Sequence, residues 1–479
     1  MNAGIQSSSS VKSLTGFAPI SWQRALWLAL AAVVCFHLAY TPAQSGVLAL
    51  LMVGYVAGLV QLARLRTTRQ SFYAGLLVGL VCFGPQLECF WRIFGPGAIA
   101  LWMVLALWIA VFVALAHRAL VRFGVKRAVW LIPFLWTGLE YFRSELYYLR
   151  FSWLNAGFAF NDFMILPSGL LGSYGIGLVV VAYASLFLVG KLKRLVVIGI
   201  AVAAVGGLLF MPSLGPKQRL NLHLAGVQLE FSTPDQIKQS LDKLVTTRTN
   251  IDLIVLPEYT LDGPPSDELK QWCREHQKFL IVGGKDPASG NNFYDTAFVI
   301  NTNGEVVFKQ AKAVPIQFFK DGRPATEQKL WDSPWGRIGI CICYDLSYAH
   351  VTDELVRQGA QMLIVPTMDV IDWGRHQHEL HARVAPVRAA EYGIPIFRVA
   401  SSGISQGVSK SGWVQASAPF PGEGEMIFFG VNLSPQRRGS LPLDRYLAPV
   451  CVGVTGWFVL LLVVERLRRK SIPTPPTKV

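Results

Sequence analysis

The sequence predicts a two-part protein: a polytopic α-helical membrane region joined to an α/β domain. Three observations predict it. Of 479 residues, 52% are hydrophobic and only 15% charged, and the mean hydropathy is +0.39. The apolar excess is localised: residues 20–211 are almost continuous apolar runs, whereas 218–440 reads as an ordinary globular domain. From Leu222 onward, short β-rich runs alternate with amphipathic stretches, the pattern of an α/β fold with a buried sheet.

A helix needs about 17–25 apolar residues to cross the hydrocarbon core. Runs at 22–42, 45–63, 72–91, 98–116, 128–143, 167–190, 195–211 and 446–464 qualify, the fifth being the shortest. The connectors "RLRTTR", "HRALVRFGVKR" and "KLKR" and the tail "RLRRK" are basic, and the alternate connectors are nearly uncharged. Every second loop being positive puts those loops, a 1–19 tail and a basic 465–479 tail in the cytoplasm, and 218–440 outside. The first apolar run is longer than the core of a cleaved signal sequence. A formal charge of +14 is compatible with nucleic-acid binding, but topology already accounts for where the Lys and Arg residues lie. The seven cysteines show no paired spacing that suggests a disulfide framework.

Residues 134–160, "FLWTGLEYFRSELYYLRFSWLNAGFAF", are polar and aromatic where apolar sequence is expected. Glu140 and Arg143 stand three apart, near the outer end of the fifth run, so they can pair on one helix face. An ionisable pair there marks either a functional site or a salt bridge between helices. The aromatics suit a lip at headgroup level beside the outer domain.

In the outer domain, "LHLAGVQL" (222–229) reads as a strand, "TPDQIKQSLDKLVTT" (233–247) as an amphipathic helix and "IDLIVLPE" (251–258) as a buried strand. A capped helix, "SDELKQWCREH", precedes the strands "FLIVGG", "NNFYDTAFVIN" and "GEVVFKQA". Then come the strand "GRIGICICYD", the helix "SYAHVTDELVRQG", the strand "AQMLIVPT", one long helix around "HQHELHARVAPVRAAEYG", and the strand "IPIFRVAS".

Chemistry in open α/β sheets gathers at the carboxyl ends of strands. Glu258 follows one strand, Lys309 and Lys312 follow another, and Cys343 ends a third. A carboxylate, an ammonium and a thiol together form a coherent set: base, oxyanion stabiliser and nucleophile. Each has a plain alternative, as a solvated loop charge or a small core hydrophobe. Cys341 and Cys343 share strand parity and face one side, but only Cys343 reaches the strand end. A metal centre is disfavoured, because His376, His378 and His381 cluster without a second cysteine pair.

The arrangement resembles the apolipoprotein N-acyltransferases of bacterial inner membranes, whose outer domain is of the carbon–nitrogen hydrolase (nitrilase) type. "LPE" is similar to that family's glutamate motif, "ICYDLSY" to its cysteine element, and "PTMDVIDWG" with the following helix to its Trp-bearing loop and Arg-Ala-x-Glu segment. "WTGLEYFR" and "FSWLNAGF" resemble acyltransferase motifs in particular. The resemblance implies a four-layer α-β-β-α sandwich, a Glu258-Lys312-Cys343 triad with Lys309 as alternate, and no cofactor or metal. It implies a phospholipid acyl donor, a cysteine thioester, and a diacylated apolipoprotein acceptor at the bilayer. Tyr344, Asp345, Trp373, Phe318 and Phe319 become supporting or acyl-chain residues, Glu140 and Arg143 supporting residues in the membrane part, and a monomer is expected. The sequence departs from the family where its lysine element reads "FKQAKAVP", which puts Gln310 at the lysine position and leaves Lys312, on the same strand face by parity, as the choice, and where "VPIQFF" puts Phe318 in place of a second glutamate. Asp345 likewise stands where the family commonly has glutamate. A membrane-tethered amidase and a non-catalytic lipoprotein-binding homologue are the rival expectations.

Overall fold

The structure, a computed structural model, describes residues 18–41, 46–160, 167–190, 221–433 and 438–470, together with Gly199. Apart from Gly199, the expected crossing at 195–211 lies outside the described residues, as do most of both terminal tails.

The N-terminal part comprises helices α1 (Trp22–Ala39), α2 (Leu51–Leu62), α3 (Thr68–Gln86), α4 (Cys89–Phe94), α5 (Ala98–Phe123), α6 (Val125–Tyr141) and α7 (Ser168–Ser185). Ser21 and Thr67 cap α1 and α3, their hydroxyls accepting the Arg24 and Gln70 N–H groups. Helices α3 and α5 pack closely because small residues meet there: a Cβ on Gly79 would lie 2.8 Å from the Ala106 Cα. Among the described residues, four segments are long and apolar enough to cross a membrane: Trp22–Ala39, Cys89–Phe123, Ser168–Leu188 and Asp444–Arg468. Val47–Leu62 is a shorter apolar helix, and the expected crossings at 72–91 and 128–143 correspond to α3 and α6. Large apolar side chains stay exposed on these helices, among them Trp27, Leu77, Trp457 and Leu460, as lipid-facing surfaces require.

The outer domain contains two six-stranded sheets. Strands β1 (Leu222–Val227), β2 (Leu253–Val255), β3 (Phe279–Ala288), β4 (Asn292–Ile300), β5 (Val306–Ala311) and β12 (Met426–Val431) form one, in the order β12-β1-β2-β3-β4-β5. Strands β6 (Leu330–Ser333), β7 (Gly336–Ile340), β8 (Met362–Thr367), β9 (Ile396–Ala400), β10 (Ser405–Val408) and β11 (Val414–Ala418) form the other, in the order β11-β10-β9-β8-β7-β6. Leu224, Leu253 and Val255 of the first sheet meet Ile338, Ile364 and Phe397 of the second in a core between the sheets. Helices α8 (Pro234–Thr247) and α9 (Asp267–His276) cover the outer face of the first sheet through Ile237, Leu241 and Trp272. Thr233 and Gln236 make a capping box at the start of α8, and Ser266 caps α9. The remaining layer, α10 (Ala349–Arg357), α11 (Arg375–Ala382) and α12 (Val384–Tyr392), covers the second sheet. The result is the four-layer α-β-β-α sandwich.

That last layer is also the junction with the membrane helices. Leu355, Val384 and Tyr392 share one core with Phe36, Tyr55, Leu135 and Phe158. An ion network reinforces it. Arg445, at the start of α13 (Asp444–Lys470), donates to Asp353 at 2.9 Å and to Glu391 at 3.0 Å, and Arg388 donates to Glu391 at 2.6 Å. The Ser173 and Tyr174 N–H groups of α7 donate to Glu391 and Asp444 at 2.6 and 2.9 Å. The last membrane helix, α7 and the outer domain are thereby stapled together.

Three expectations need correction. The single helix expected over "HQHELHARVAPVRAAEYG" is two, α11 and α12, separated at Arg383. Pro386 has no N–H for the Ala382 carbonyl, so the helix is interrupted one turn upstream. Strand β7 ends at Ile340, before Cys343. Cys341 and Cys343 do not face one side: Cys341 joins the core shared with the helices and Cys343 the core between the sheets. A left-handed backbone at Cys343 (φ 51°) breaks the alternation.

Candidate active site

Glu258, Lys312 and Cys343 converge where the two sheets meet. Glu258 lies just past β2, in a turn pressed against β3; a Cβ on Gly283 would come within 2.5 Å of the Glu258 Cα, so only glycine fits. Lys312 follows the end of β5, its N–H donating to the Asp295 carbonyl at 2.8 Å. Cys343 opens a 3₁₀ turn (Cys343–Ser347), and its positive φ places it on the inter-sheet side. Asp345, two residues on, accepts the N–H groups of Ala313, Val314 and Ile342 at 2.9, 2.8 and 3.3 Å. It clamps the lysine segment to the cysteine turn.

The Lys312 ammonium lies 2.7 Å from Glu258, 2.8 Å from Asp321 and 3.5 Å from Asp295, all buried. One oxygen from each of these carboxylates falls within 4.8 Å of the others, the geometry of a cation site, and Lys312 supplies the cation. Burial opposes its charge, but the Glu258, Asp321 and Asp295 carboxylates outweigh that and hold its pKa well above the ordinary lysine value. Three buried carboxylates around one ammonium leave excess negative charge, and burial together with Glu258 pushes the Asp295 pKa strongly upward. Burial, then Glu258, likewise raises the Cys343 thiol well above its usual value, so it rests protonated and needs a base. Glu258 accepts from Lys312 through Oε1 and from the Met368 N–H at 2.7 Å through Oε2. Each oxygen keeps a second lone pair for a thiol proton.

Cys343 lines a largely apolar cavity of about 130 Å³. Membrane-side residues Phe90, Phe94, Leu101 and Leu105 form one wall, and Tyr344, Trp373 and His381 line the other. Phe94 packs on Phe318 and Phe319 with ring centroids 6.0 and 5.7 Å apart, and Phe319 lies 6.3 Å from Trp373. Phe318 remains 68% exposed, so these rings rim the cavity rather than fill a core.

A family model for the apolipoprotein N-acyltransferase N-terminal domain matches residues 9–186, and one for carbon-nitrogen hydrolase matches 224–415. An apolipoprotein N-acyltransferase of Geobacter metallireducens is 22% identical over 416 residues, covering 73% of this chain and 79% of that protein. Part by part, the chain matches an apolipoprotein N-acyltransferase N-terminal domain and a carbon-nitrogen hydrolase. A formamidase of Bacillus thuringiensis is 28% identical over 164 residues, 29% of this chain and 48% of that enzyme. Among solved structures, Saccharomyces cerevisiae Nit3, of the nitrilase superfamily, is similar at 21% identity and TM-score 0.38, covering 46% of this chain and 93% of its own. The chain is a membrane protein with a carbon–nitrogen hydrolase fold.

Lys309, the alternate, lies within β5 and turns outward to an ion pair with Asp286 at 2.9 Å. Glu140 and Arg143 do not pair directly among the described residues. Glu140 accepts the Ala156 N–H at 2.8 Å, and Arg143 donates to Asn155 at 2.5 Å, so both brace the 152–160 segment. Asp321 escaped sequence reasoning. It restores a carboxylate near the place where Phe318 replaces a glutamate, and it also accepts the Tyr259 hydroxyl and the Ile316 N–H at 2.7 Å each. Its signal was the Asp321-Gly322 turn. Trp153, in the quoted "FSWLN", was not assigned to the site; it lines the cavity and donates to Ser347 at 3.0 Å.

Proposed function

We propose that this protein transfers a fatty acyl chain from a membrane phospholipid, through a Cys343 thioester, to the N-terminal amine of a diacylglyceryl-cysteine lipoprotein. Glu258 takes the thiol proton as sulfur attacks the ester carbonyl. The Lys312 ammonium stabilises the oxyanion, and Glu258 returns the proton to the departing lysophospholipid oxygen. The lipoprotein amine then attacks the thioester, forming the amide and releasing sulfur. The observation that carries this reading is the cavity, which runs from Cys343 to a wall of membrane-side apolar residues. A soluble amide substrate needs no such wall. We further propose eight crossings, a bacterial inner-membrane location and a periplasmic outer domain, supported by the alternation of basic connectors.

Incubation with phospholipid, followed by peptide mass spectrometry, tests the reading. A hydroxylamine-sensitive acyl adduct on Cys343, cleared by a diacylated lipopeptide with formation of triacylated product and missing from Cys343→Ser, is the expected result. An adduct cleared by water alone identifies a hydrolase instead. No adduct on a folded protein removes the activity altogether.

A further inference from the structure

Beside Cys343 the cavity wall holds two side chains that the acylation step leaves unused, Gln377 and His381. Both are buried, 3% and 2% exposed, and both are held by one carboxylate oxygen of Asp369, at 3.1 Å from Gln377 Nε2 and 2.7 Å from His381 Nδ1. Asp369 is itself fixed by Arg398, and despite burial the contact with His381 and the charge of Arg398 keep it far below the usual carboxylate range. An ionised carboxylate only accepts, so it fixes both orientations: Gln377 offers its NH₂ and His381 its Nδ1–H. What remains is Gln377 Oε1 and His381 Nε2, two buried acceptors with no donor among the described residues. Leaving such groups buried and unsatisfied is unfavourable, and a ligand with N–H groups relieves it. The His381 ring is stacked on Trp153 at 4.7 Å, which fixes its plane.

We propose, resting on the acyl-transfer reading, that Gln377 and His381 form the subsite for the acceptor's primary amine, with His381 Nε2 as its base. A primary ammonium matches two acceptors beside the thioester. It must shed one proton to expose its lone pair, and His381 Nε2 takes that proton and passes it to solvent. As nitrogen bonds to the thioester carbon and the carbon–sulfur bond breaks, the second proton goes to the departing Cys343 sulfur. Burial lowers the imidazole pKa against the opposing pull of Asp369, so Nε2 is unprotonated at neutral pH.

The test separates acylation from transfer and does not depend on the phospholipid donor. Wild type, His381→Asn and Gln377→Leu are acylated with p-nitrophenyl butyrate, and the nitrophenolate burst reports thioester formation. The acyl-enzyme is then chased with a diacylglyceryl-cysteine lipopeptide or with hydroxylamine, an amine already unprotonated at neutral pH. Asparagine at 381 keeps a donor for Asp369 and deletes Nε2. His381→Asn should show a burst but clear its thioester with lipopeptide on the order of 10²-fold more slowly, while hydroxylamine clears it at the wild-type rate. Gln377→Leu should raise the lipopeptide KM several-fold. Loss of the burst in His381→Asn, equal slowing with both amines, or unchanged lipopeptide transfer would each overturn the proposal. A wild-type enzyme acylated by the nitrophenyl ester but never by phospholipid refutes the donor proposed above and leaves the amine subsite standing.

Discussion

At the scale of single residues, the two lysines make the sharpest contrast. Lys312 is the counter-charge of three buried carboxylates, whereas Lys309 is half exposed and paired at the surface. Removing one partner from a buried ion cluster costs about 3–5 kcal/mol, because the remaining charges stay uncompensated. An exposed pair contributes about 0–1 kcal/mol. Lys312→Met should therefore lower stability by several kcal/mol and abolish thioester formation, while Lys309→Ala leaves both near wild type; denaturant titration and the mass-spectrometric adduct measure the two. A stable, active Lys312→Met would mean that the ammonium neither balances the cluster nor serves the oxyanion. The sequence made Lys312 the first choice over Lys309, because it shares strand parity with Gln310, which stands where the family's lysine falls. It did not reveal Asp321, because a carboxylate beyond an irregular loop reaches the site through a chain path that no periodicity describes.

Elements were legible where their period was regular and illegible where one residue broke it. The capped helices α8 and α9 begin where Thr233 and Ser266 signalled. The break between α11 and α12 was written in Pro386, but the left-handed turn at Cys343 was not, since cysteine carries no preference for positive φ. Helix α11 also supports a pH prediction. His378 lies stacked on Phe420, its Nε2 bonded to the Val370 carbonyl, with Asp369, Arg398 and His381 as its charged or titratable neighbours. Burial pulls its pKa down from 6.5 to about 4. The unfolded chain therefore binds the proton more tightly, and stability present above pH 6.5 is lost as pH falls toward 4. The shift corresponds to about 3 kcal/mol at most. Chemical denaturation of wild type and His378→Gln across that window should show the steeper acid loss in wild type. Parallel curves would mean the imidazole titrates normally.

For the whole molecule, the sequence divided the chain correctly into an apolar part and an α/β part but gave no measure of how tightly they join. Leu355, Val384 and Tyr392 belong to the α/β part by sequence and to a core shared with Phe36 and Leu135 in space. Expression of residues 218–440 alone should thus yield a fragment that aggregates or needs detergent, with its second sheet's helices uncovered. A monomeric, soluble fragment with native near-ultraviolet dichroism would show that the junction is an adhesion of two finished domains. The Arg445 staple carries a consequence of another kind. Asp353 and Glu391 grip the first turn of the last membrane helix and tie the anchor to the helical layer over the second sheet. On the acyl-transfer reading proposed above, the sulfur stands at a set altitude, and the lipid's own motion must bring an ester to that level.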